Sequence, residues 1–154
     1  MNDVLIKNWY ATVGKEDLLI NCGDFCFCST DTGNAIISSM PGINMIIWGN
    51  HDVKRHSKGS FRALDFDFAD VRKEFKYKGH TFVLSHRPIP KNELGKCLNI
   101  HGHLHDMIHE ENDVESRQHI CISVEQTAYK PIEFWDVCDR LIQKSNVKPV
   151  KSVI

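Results

Sequence analysis

Four short apolar runs of this chain each end in a polar cluster, and this repetition restricts the fold more than any other feature of the sequence. The clusters are Gly23-Asp24, Gly49-Asn50-His51-Asp52, Ser85-His86 and His101-Gly102-His103-Leu104-His105. Short apolar runs that end at glycine or at a polar residue are typical of buried strands in α/β proteins. Because such sheets gather ligands at the carboxyl ends of their strands, we expect the clusters to lie close together.

The spacing of the apolar residues predicts helices and strands in alternation through the first third of the chain. The predicted elements there are a helix at 5–13, a strand at 18–20, a helix at 30–40 and a strand at 43–48. Further along, we predict a hairpin with arms at 75–77 and 81–84, a strand at 119–124 and a helix at 134–142. This order indicates an α/β fold in one domain at 1–145, followed by a short tail at 146–154.

The composition excludes several classes of protein. A net charge of -1 and a pI of about 6.7 give no broad basic field, so the sequence carries no strong signal for nucleic-acid binding. No apolar stretch approaches the roughly 20 residues that span a bilayer, and Met1-Asn2-Asp3 lacks the features of a secretion signal. We therefore expect no membrane association and a cytoplasmic location, where the six cysteines are reduced and mostly buried.

The side chains of the polar clusters form a mixed nitrogen and oxygen set that is typical of divalent transition-metal sites. In His103-Leu104-His105 the i, i+2 spacing puts both imidazoles on one face of an extended segment, where two nearby ions could each take one. Asp24 could bridge the ions, and the amide of Asn50 is a further oxygen ligand. We expect one or two ions, with Mn²⁺ the first choice and Fe²⁺, Zn²⁺ or Ni²⁺ the others.

These clusters, in this order, resemble the core motifs of the calcineurin-like metallophosphoesterases, which are GD, GNH[DE], a lone histidine after a strand, and GHxH. The resemblance runs from Met1 to about Ile142 and is closest to the small bacterial and phage phosphoesterases. It implies a four-layer α-β-β-α sandwich of two mixed sheets flanked by helices. It also implies hydrolysis of a phosphomonoester or phosphodiester, with a phosphorylated small molecule or a nucleotide as the substrate.

The resemblance divides the metal ligands between two positions. Asp24 would bridge both ions; Asn50, His86 and His103 complete the ligands of one ion, and His105 serves the other. The family also has a D-x-H motif at the end of its first strand, which supplies two more ligands to the His105 position. This chain contains no D-x-H, so we expect the first strand and the first few dozen residues of the family fold to be absent.

Three explanations of the missing motif stay open: a shortened reading frame, a segment supplied by another chain, and a natural one-metal or inactive variant. Loss of the first strand should expose a sheet edge or apolar core surface. We therefore expect a homo-oligomer, or a partner that covers this edge. A catalytically impaired fold that acts as a partner-binding module is the alternative to an enzyme.

The resemblance also assigns catalytic roles. His51 would contact the phosphate and protonate the leaving oxygen after attack by metal-bound hydroxide, and Asp52 would orient His51. Arg87, next to His86, is a candidate phosphate contact, and His101 could line the pocket or hydrogen-bond a ligand.

Other polar residues are given structural or solvent roles. The basic segment of Lys54, Arg55, His56, Lys58 and Arg62 is interpreted as a solvated loop rather than a phosphate site. The histidines interpreted as surface or core residues are His56, His80, His109 and His119.

Overall fold

The structure is a computed structural model that describes residues 2–55, 64–107 and 115–146. Its helices are α1 (Asn2–Thr12), α2 (Thr30–Ser39), α3 (Asn50–Arg55), α4 (Lys91–Leu94) and α5 (Phe134–Asn146), with a 3-10 helix at Glu115–Gln118. Its strands are β1 (Leu18–Asn21), β2 (Ile43–Ile47), β3 (Phe68–Asp70), β4 (Arg72–Tyr77), β5 (His80–Ser85), β6 (Leu98–His101) and β7 (His119–Cys121).

Some of the predictions fall on parts of the chain that the structure does not describe. They are the tail beyond Asn146, residues His56, Lys58 and Arg62 of the basic segment, and His109.

The first sheet consists of three parallel strands in the order β1-β2-β3. Its central strand β2 is buried from Asn44 to Ile47, as expected for an apolar run between two neighbours. Helix α2 connects β1 to β2 and begins after Ser29, whose hydroxyl accepts a hydrogen bond of 3.2 Å from the backbone N–H of Thr32. The short strand β3 was not predicted, because its three residues form no apolar run.

The second sheet has the order β4-β5-β6-β7. Strands β4 and β5 form the predicted antiparallel hairpin, and its turn residues Lys78 and Gly79 have φ values of 47° and 77°, as a two-residue hairpin turn requires. Strands β5, β6 and β7 are parallel. The predicted α/β sandwich with two sheets is thus confirmed, although only the second sheet is mixed.

The main core joins both sheets to helix α5. Met45 and Ile47 of β2 belong to the same buried cluster as Phe82 of β5 and Leu141 of α5. The buried positions of α5 are Val137, Cys138 and Leu141, and their spacing puts them on one face of the helix. The apolar surface of α5 therefore holds this helix against the second sheet and the core beneath the strand ends.

Replacement of Leu141 by alanine is expected to lower the free energy of unfolding by about 2 to 5 kcal/mol. Leu141 is fully buried, so its loss removes apolar contacts and leaves a cavity. Urea denaturation measures the change, with Val71→Ala as the control because Val71 is 67% exposed and its truncation should change stability by less than about 0.5 kcal/mol. Equal effects of the two variants would contradict this core assignment.

The first sheet ends in strands β1 and β3 within the described residues. Leu18 on β1 and Phe68 on β3 are more than half exposed. Self-association, or a partner that covers this sheet, stays a prediction.

The predictions from composition have mixed outcomes. Among the described residues, no helix combines the length and apolar character needed to cross a membrane. Cys22 and Cys138 are buried thiols, and burial raises their pKa to about 12 and about 11. The expectation that most cysteines are buried is wrong, because the other cysteines are only partly covered.

Candidate metal centre

The polar clusters follow the carboxyl ends of β1, β2, β5 and β6, which are two parallel neighbours from each sheet. The structure brings together ligand atoms of Asp24, His86 and His103, all within 4.8 Å of one another. These side chains come from loops that lie far apart in the sequence. Their convergence agrees with the tendency of α/β sheets to form binding sites at this edge.

Two glycines let the loops after β1 and β2 approach each other closely. Gly23 has a φ of 94°, and a Cβ atom at this position would lie 2.7 Å from the Cα of Gly49 and 2.5 Å from Nδ1 of His86. A Cβ atom on Gly49 would collide with Asp24. Larger residues at either position would push Asp24 away from His86, so both glycines are needed for the geometry of the centre.

The Nε2 atom of His86 lies at the middle of the centre. It is 3.1 Å from Oδ1 of Asn50, 3.1 Å from Nδ1 of His103 and 3.3 Å from Oδ2 of Asp24. Ligands about 2.1 Å from one cation are separated by roughly 3.0 Å at right angles and roughly 3.4 Å in a tetrahedron. The three separations from Nε2 of His86 are therefore compatible with ligands of one divalent cation.

Hydrogen-bonding roles also favour a cation here. Nδ1 of His86 lies 2.8 Å from the carbonyl oxygen of Cys22, which only accepts, so Nδ1 is the donor; in a neutral imidazole this arrangement leaves the lone pair on Nε2. Burial, together with the neighbouring His86 and Arg87, lowers the pKa of His103 and favours its neutral form. A proton on Nε2 could form hydrogen bonds to few of the surrounding acceptors, whereas a divalent cation could be coordinated by all of them.

Asp52 holds the loops of the centre together. Its side chain is 3% exposed, and its carboxylate accepts hydrogen bonds from the backbone N–H groups of Asp24 at 2.7 Å, Phe25 at 3.1 Å and Gly49 at 2.8 Å. The described hydrogen bonds of Asp52 include none to the side chain of His51. Asp52 is therefore a positioning residue that joins the GD loop to the GNHD loop, rather than the predicted partner of His51.

His51 lies at the exposed rim of the centre. Its backbone N–H donates a 2.8 Å hydrogen bond to Oδ1 of Asp24, and its imidazole contacts the ring of Phe27 at a centroid distance of 4.9 Å. Arg87 is also exposed, and its guanidinium donates a 3.2 Å hydrogen bond to Oδ1 of Asn50. An imidazole and a guanidinium thus lie exposed at the rim of the candidate metal centre.

The prediction that His103 and His105 share one face of an extended segment is wrong. Both have positive φ values, 67° and 51°, and the segment follows β6 without continuing it. Alternation of side chains applies only to extended backbone, so the two imidazoles diverge. His103 contacts His86, whereas Nδ1 of His105 lies 2.9 Å from Oε1 of Glu125.

His101 lies behind the centre rather than in an open pocket. It is fully buried, its Nδ1 donates a 2.9 Å hydrogen bond to the carbonyl of Gly102, and its ring packs 5.7 Å from that of His119. Nδ1 of His119 lies 3.1 Å from Oδ1 of the fully buried Asn99. This network packs under the GHxH loop and supports it from the core side.

Sequence reasoning missed Glu125, which contacts His105 in the structure. The signal was available, because Glu125 directly follows the strand predicted at 119–124 and so stands at a further strand end. Asn99 was also missed, since a polar residue inside an apolar strand gives no sign of its partners. Its amide donates to the carbonyl of Val83 at 3.0 Å and to the hydroxyl of Ser85 at 2.8 Å.

The fold and the centre together define an α/β sandwich with a histidine-rich candidate metal centre at its strand ends. The chain is 30% identical over 156 residues to the uncharacterized protein MJ1445 of Methanocaldococcus jannaschii, and the match covers 96% of this chain and 78% of that protein. The chain therefore belongs to the family of MJ1445.

A solved structure is also similar to this chain. The protein of unknown function AQ665 from Aquifex aeolicus is 27% identical, with a TM-score of 0.64, and the match covers 90% of this chain and 83% of that chain. No protein-family model matches the sequence.

Proposed function

We propose that this chain is a divalent-metal-dependent phosphoesterase. One observation carries the proposal: Oδ2 of Asp24, Oδ1 of Asn50 and Nδ1 of His103 surround Nε2 of His86 at 3.1 to 3.3 Å. Mn²⁺ is the first choice, with Fe²⁺, Zn²⁺ or Ni²⁺ as the others, because the ligand set mixes imidazole nitrogen with carboxylate and amide oxygen. When bound, such a cation supplies Lewis acidity toward a phosphate oxygen and toward a water molecule.

The residues at the rim have separate roles in the proposed reaction. Arg87 would bind a non-bridging oxygen of the phosphate, since its guanidinium already reaches the centre at Asn50. His51, as the imidazolium, would donate its proton to the ester oxygen as the bond between phosphorus and that oxygen breaks. Its contact with Phe27 and its backbone hydrogen bond to Asp24 support this position.

The substrate class follows from the same features. The exposed rim suits a phosphomonoester or phosphodiester of a small molecule or a nucleotide, and a cytoplasmic location is part of the proposal. The alternative function is a metal-binding fold that is catalytically impaired and binds a partner. Metal binding without turnover would favour this alternative.

The test is hydrolysis of phenyl and p-nitrophenyl phosphate, and of their bis esters, by the purified chain with Mn²⁺. Phenolate is a poorer leaving group than p-nitrophenolate, so hydrolysis of the phenyl esters depends more on a proton donor. We expect His51→Ala to lower kcat for the phenyl esters by about 100-fold or more and to affect the p-nitrophenyl esters less. His80→Ala is the matched control, because His80 lies at the start of β5, away from the strand ends that form the centre.

Two results would count against the proposal. The first is no turnover of any of these esters with any of the four cations by a folded protein. The second is an equal loss for both leaving groups in His51→Ala, which would remove His51 from the role of general acid.

A further inference from the structure

Phe27 is an aromatic residue at the rim of the candidate metal centre, and the proposed reaction uses it only as a contact of His51. It lies in the loop between β1 and α2, shortly after the proposed ligand Asp24. Its ring meets the imidazole of His51 at a centroid distance of 4.9 Å and an angle of 62°, which is an edge-to-face contact. Phe27 is nevertheless 63% exposed, so a molecule bound at the rim can reach its ring.

The loop that carries Phe27 is held in place on both sides of this residue. Before it, the ring of Phe25 packs against those of Trp9 and Phe66 at centroid distances of 6.3 and 5.2 Å. After it, the hydroxyl of Ser29 accepts a hydrogen bond from the first turn of α2. Phe25 therefore anchors the loop in the protein, whereas Phe27 stays at the surface. The position of the Phe27 ring is thus set before any substrate binds.

The proposed roles of the rim residues determine which part of an ester would meet Phe27. Arg87 would hold a non-bridging oxygen beside Asn50, whereas His51 would protonate the ester oxygen. The organic group on that oxygen therefore begins at hydrogen-bond distance from His51. Since the rings of His51 and Phe27 are only 4.9 Å apart, an aromatic ring on this group can come within the roughly 4.5 to 7 Å that separates paired aromatic rings.

The chemistry of the Phe27 side chain limits what it can recognise. The ring has no charge and no hydrogen-bonding group, so it does not select a phosphate or a sugar hydroxyl. It does favour a planar ring, because aromatic pairs gain stability beyond the area that they bury. Stacking of a base on an aromatic side chain tolerates every base, since each base has a π face. Phe27 would therefore detect the presence of a base rather than its identity.

We propose that Phe27 is a specificity-determining residue, on which a planar ring of the substrate's leaving group stacks. The ring is a nucleobase or an aryl group, and esters of alcohols without such a ring are poorer substrates. This inference rests on the proposed function, because it takes His51 as the proton donor to the ester oxygen. It narrows the substrate class to nucleotides and aryl-bearing esters, with little discrimination among the bases.

The first test is binding of adenosine 5′-monophosphate and ribose 5-phosphate to the full chain in a chelator, followed by NMR titration. Ribose 5-phosphate has a hydroxyl group in place of the base. We expect the wild-type protein to bind the nucleotide about tenfold more tightly, and Phe27→Leu to bind the two compounds equally. Phe27→Tyr keeps the aromatic ring and should keep the preference.

Phe68→Leu is the matched control for the loss of an exposed phenylalanine. Phe68 is 57% exposed and is the first residue of β3. Because β3 is parallel to β2, this residue lies at the end of the first sheet opposite the candidate metal centre. The control should keep the preference of the wild-type protein for the nucleotide.

The second test is turnover with Mn²⁺ of two pairs of esters. One pair is adenosine 5′-monophosphate and ribose 5-phosphate, and the other is benzyl and cyclohexylmethyl phosphate, whose rings are planar and puckered. Phe27→Leu should lower kcat/KM for the member with the planar ring about tenfold more than for its partner. A selective loss in the first pair alone identifies a nucleobase as the ring, and one in the second pair alone identifies an aryl group.

Two results would overturn the role of Phe27 and leave the proposed function standing. The first is equal binding of the nucleotide and ribose 5-phosphate by the wild-type protein. The second is an equal fall of kcat/KM within both pairs in Phe27→Leu, which would show that Phe27 acts only through His51. Base-dependent binding that Phe27→Leu abolishes, without turnover of any ester, would instead support ring recognition by Phe27 and refute the proposed hydrolysis.

Discussion

Replacement of Asp24 by asparagine is expected to weaken binding of Mn²⁺ to the candidate metal centre by about 100-fold or more. Asp24 is the carboxylate among the proposed ligands, and its Oδ2 atom faces Nε2 of His86 at 3.3 Å. An amide at this position keeps the size and the acceptor but loses the charge that attracts a divalent cation. Equilibrium dialysis measures the affinity, and turnover of p-nitrophenyl phosphate should fall in parallel.

The melting temperature of the protein with and without metal gives a second test of the role of Asp24. An asparagine keeps the oxygen that accepts the hydrogen bond from the N–H of His51, so Asp24→Asn should not lower the melting temperature in the presence of a chelator. Added Mn²⁺ should raise the melting temperature of the wild-type protein and have little effect on the variant. Asp139→Asn, which changes an exposed partner of Lys78, is the control. Unchanged Mn²⁺ affinity in folded Asp24→Asn would remove Asp24 from the centre.

Replacement of Asp52 by alanine is expected to lower the free energy of unfolding by about 3 to 5 kcal/mol. The carboxylate of Asp52 accepts from three backbone N–H groups in a position that water hardly reaches. Its removal leaves these donors without a partner, and the loops of Asp24 and Gly49 lose their connection. Urea denaturation in a chelator separates this loss from any effect of metal.

The same variant should also lose Mn²⁺ affinity, because Asp24 would no longer be held opposite His86. Asp52→Asn should be intermediate in stability, since one oxygen remains while the new amide group faces backbone donors. Asp139→Ala is the control for removal of an exposed carboxylate. A destabilisation of Asp52→Ala below about 1 kcal/mol would show that the loops do not depend on this residue.

Local sequence patterns were sufficient to predict most of the helices and strands. The hairpin around Lys78-Gly79 was predicted because its turn needs two residues with positive φ between strand-forming runs. Strand β2 is predicted from a mainly apolar run that contains one polar residue, Asn44, and such a run is typical of a strand covered on both faces. Strand β3 was not, because it depends on pairing with Met45 to Ile47 and has little local preference of its own.

The candidate site was predicted in part. The positions of the polar clusters at the strand ends follow from the sequence, since glycine beside a polar residue marks a sharp turn out of a strand. The direction in which each side chain points does not follow from the sequence. His103 and His105 diverge because the loop after β6 adopts positive φ values, and no property of the two histidines themselves indicates this.

The sequence by itself determined which residues can serve as ligands and at which strand ends they stand, because these features depend on side-chain chemistry and local periodicity. Only the tertiary structure decided what each side chain contacts. Asp52 binds three backbone groups rather than His51, and Glu125 meets His105 across a distance in sequence. Such contacts depend on how two sheets pack and how their loops approach, which local patterns do not specify.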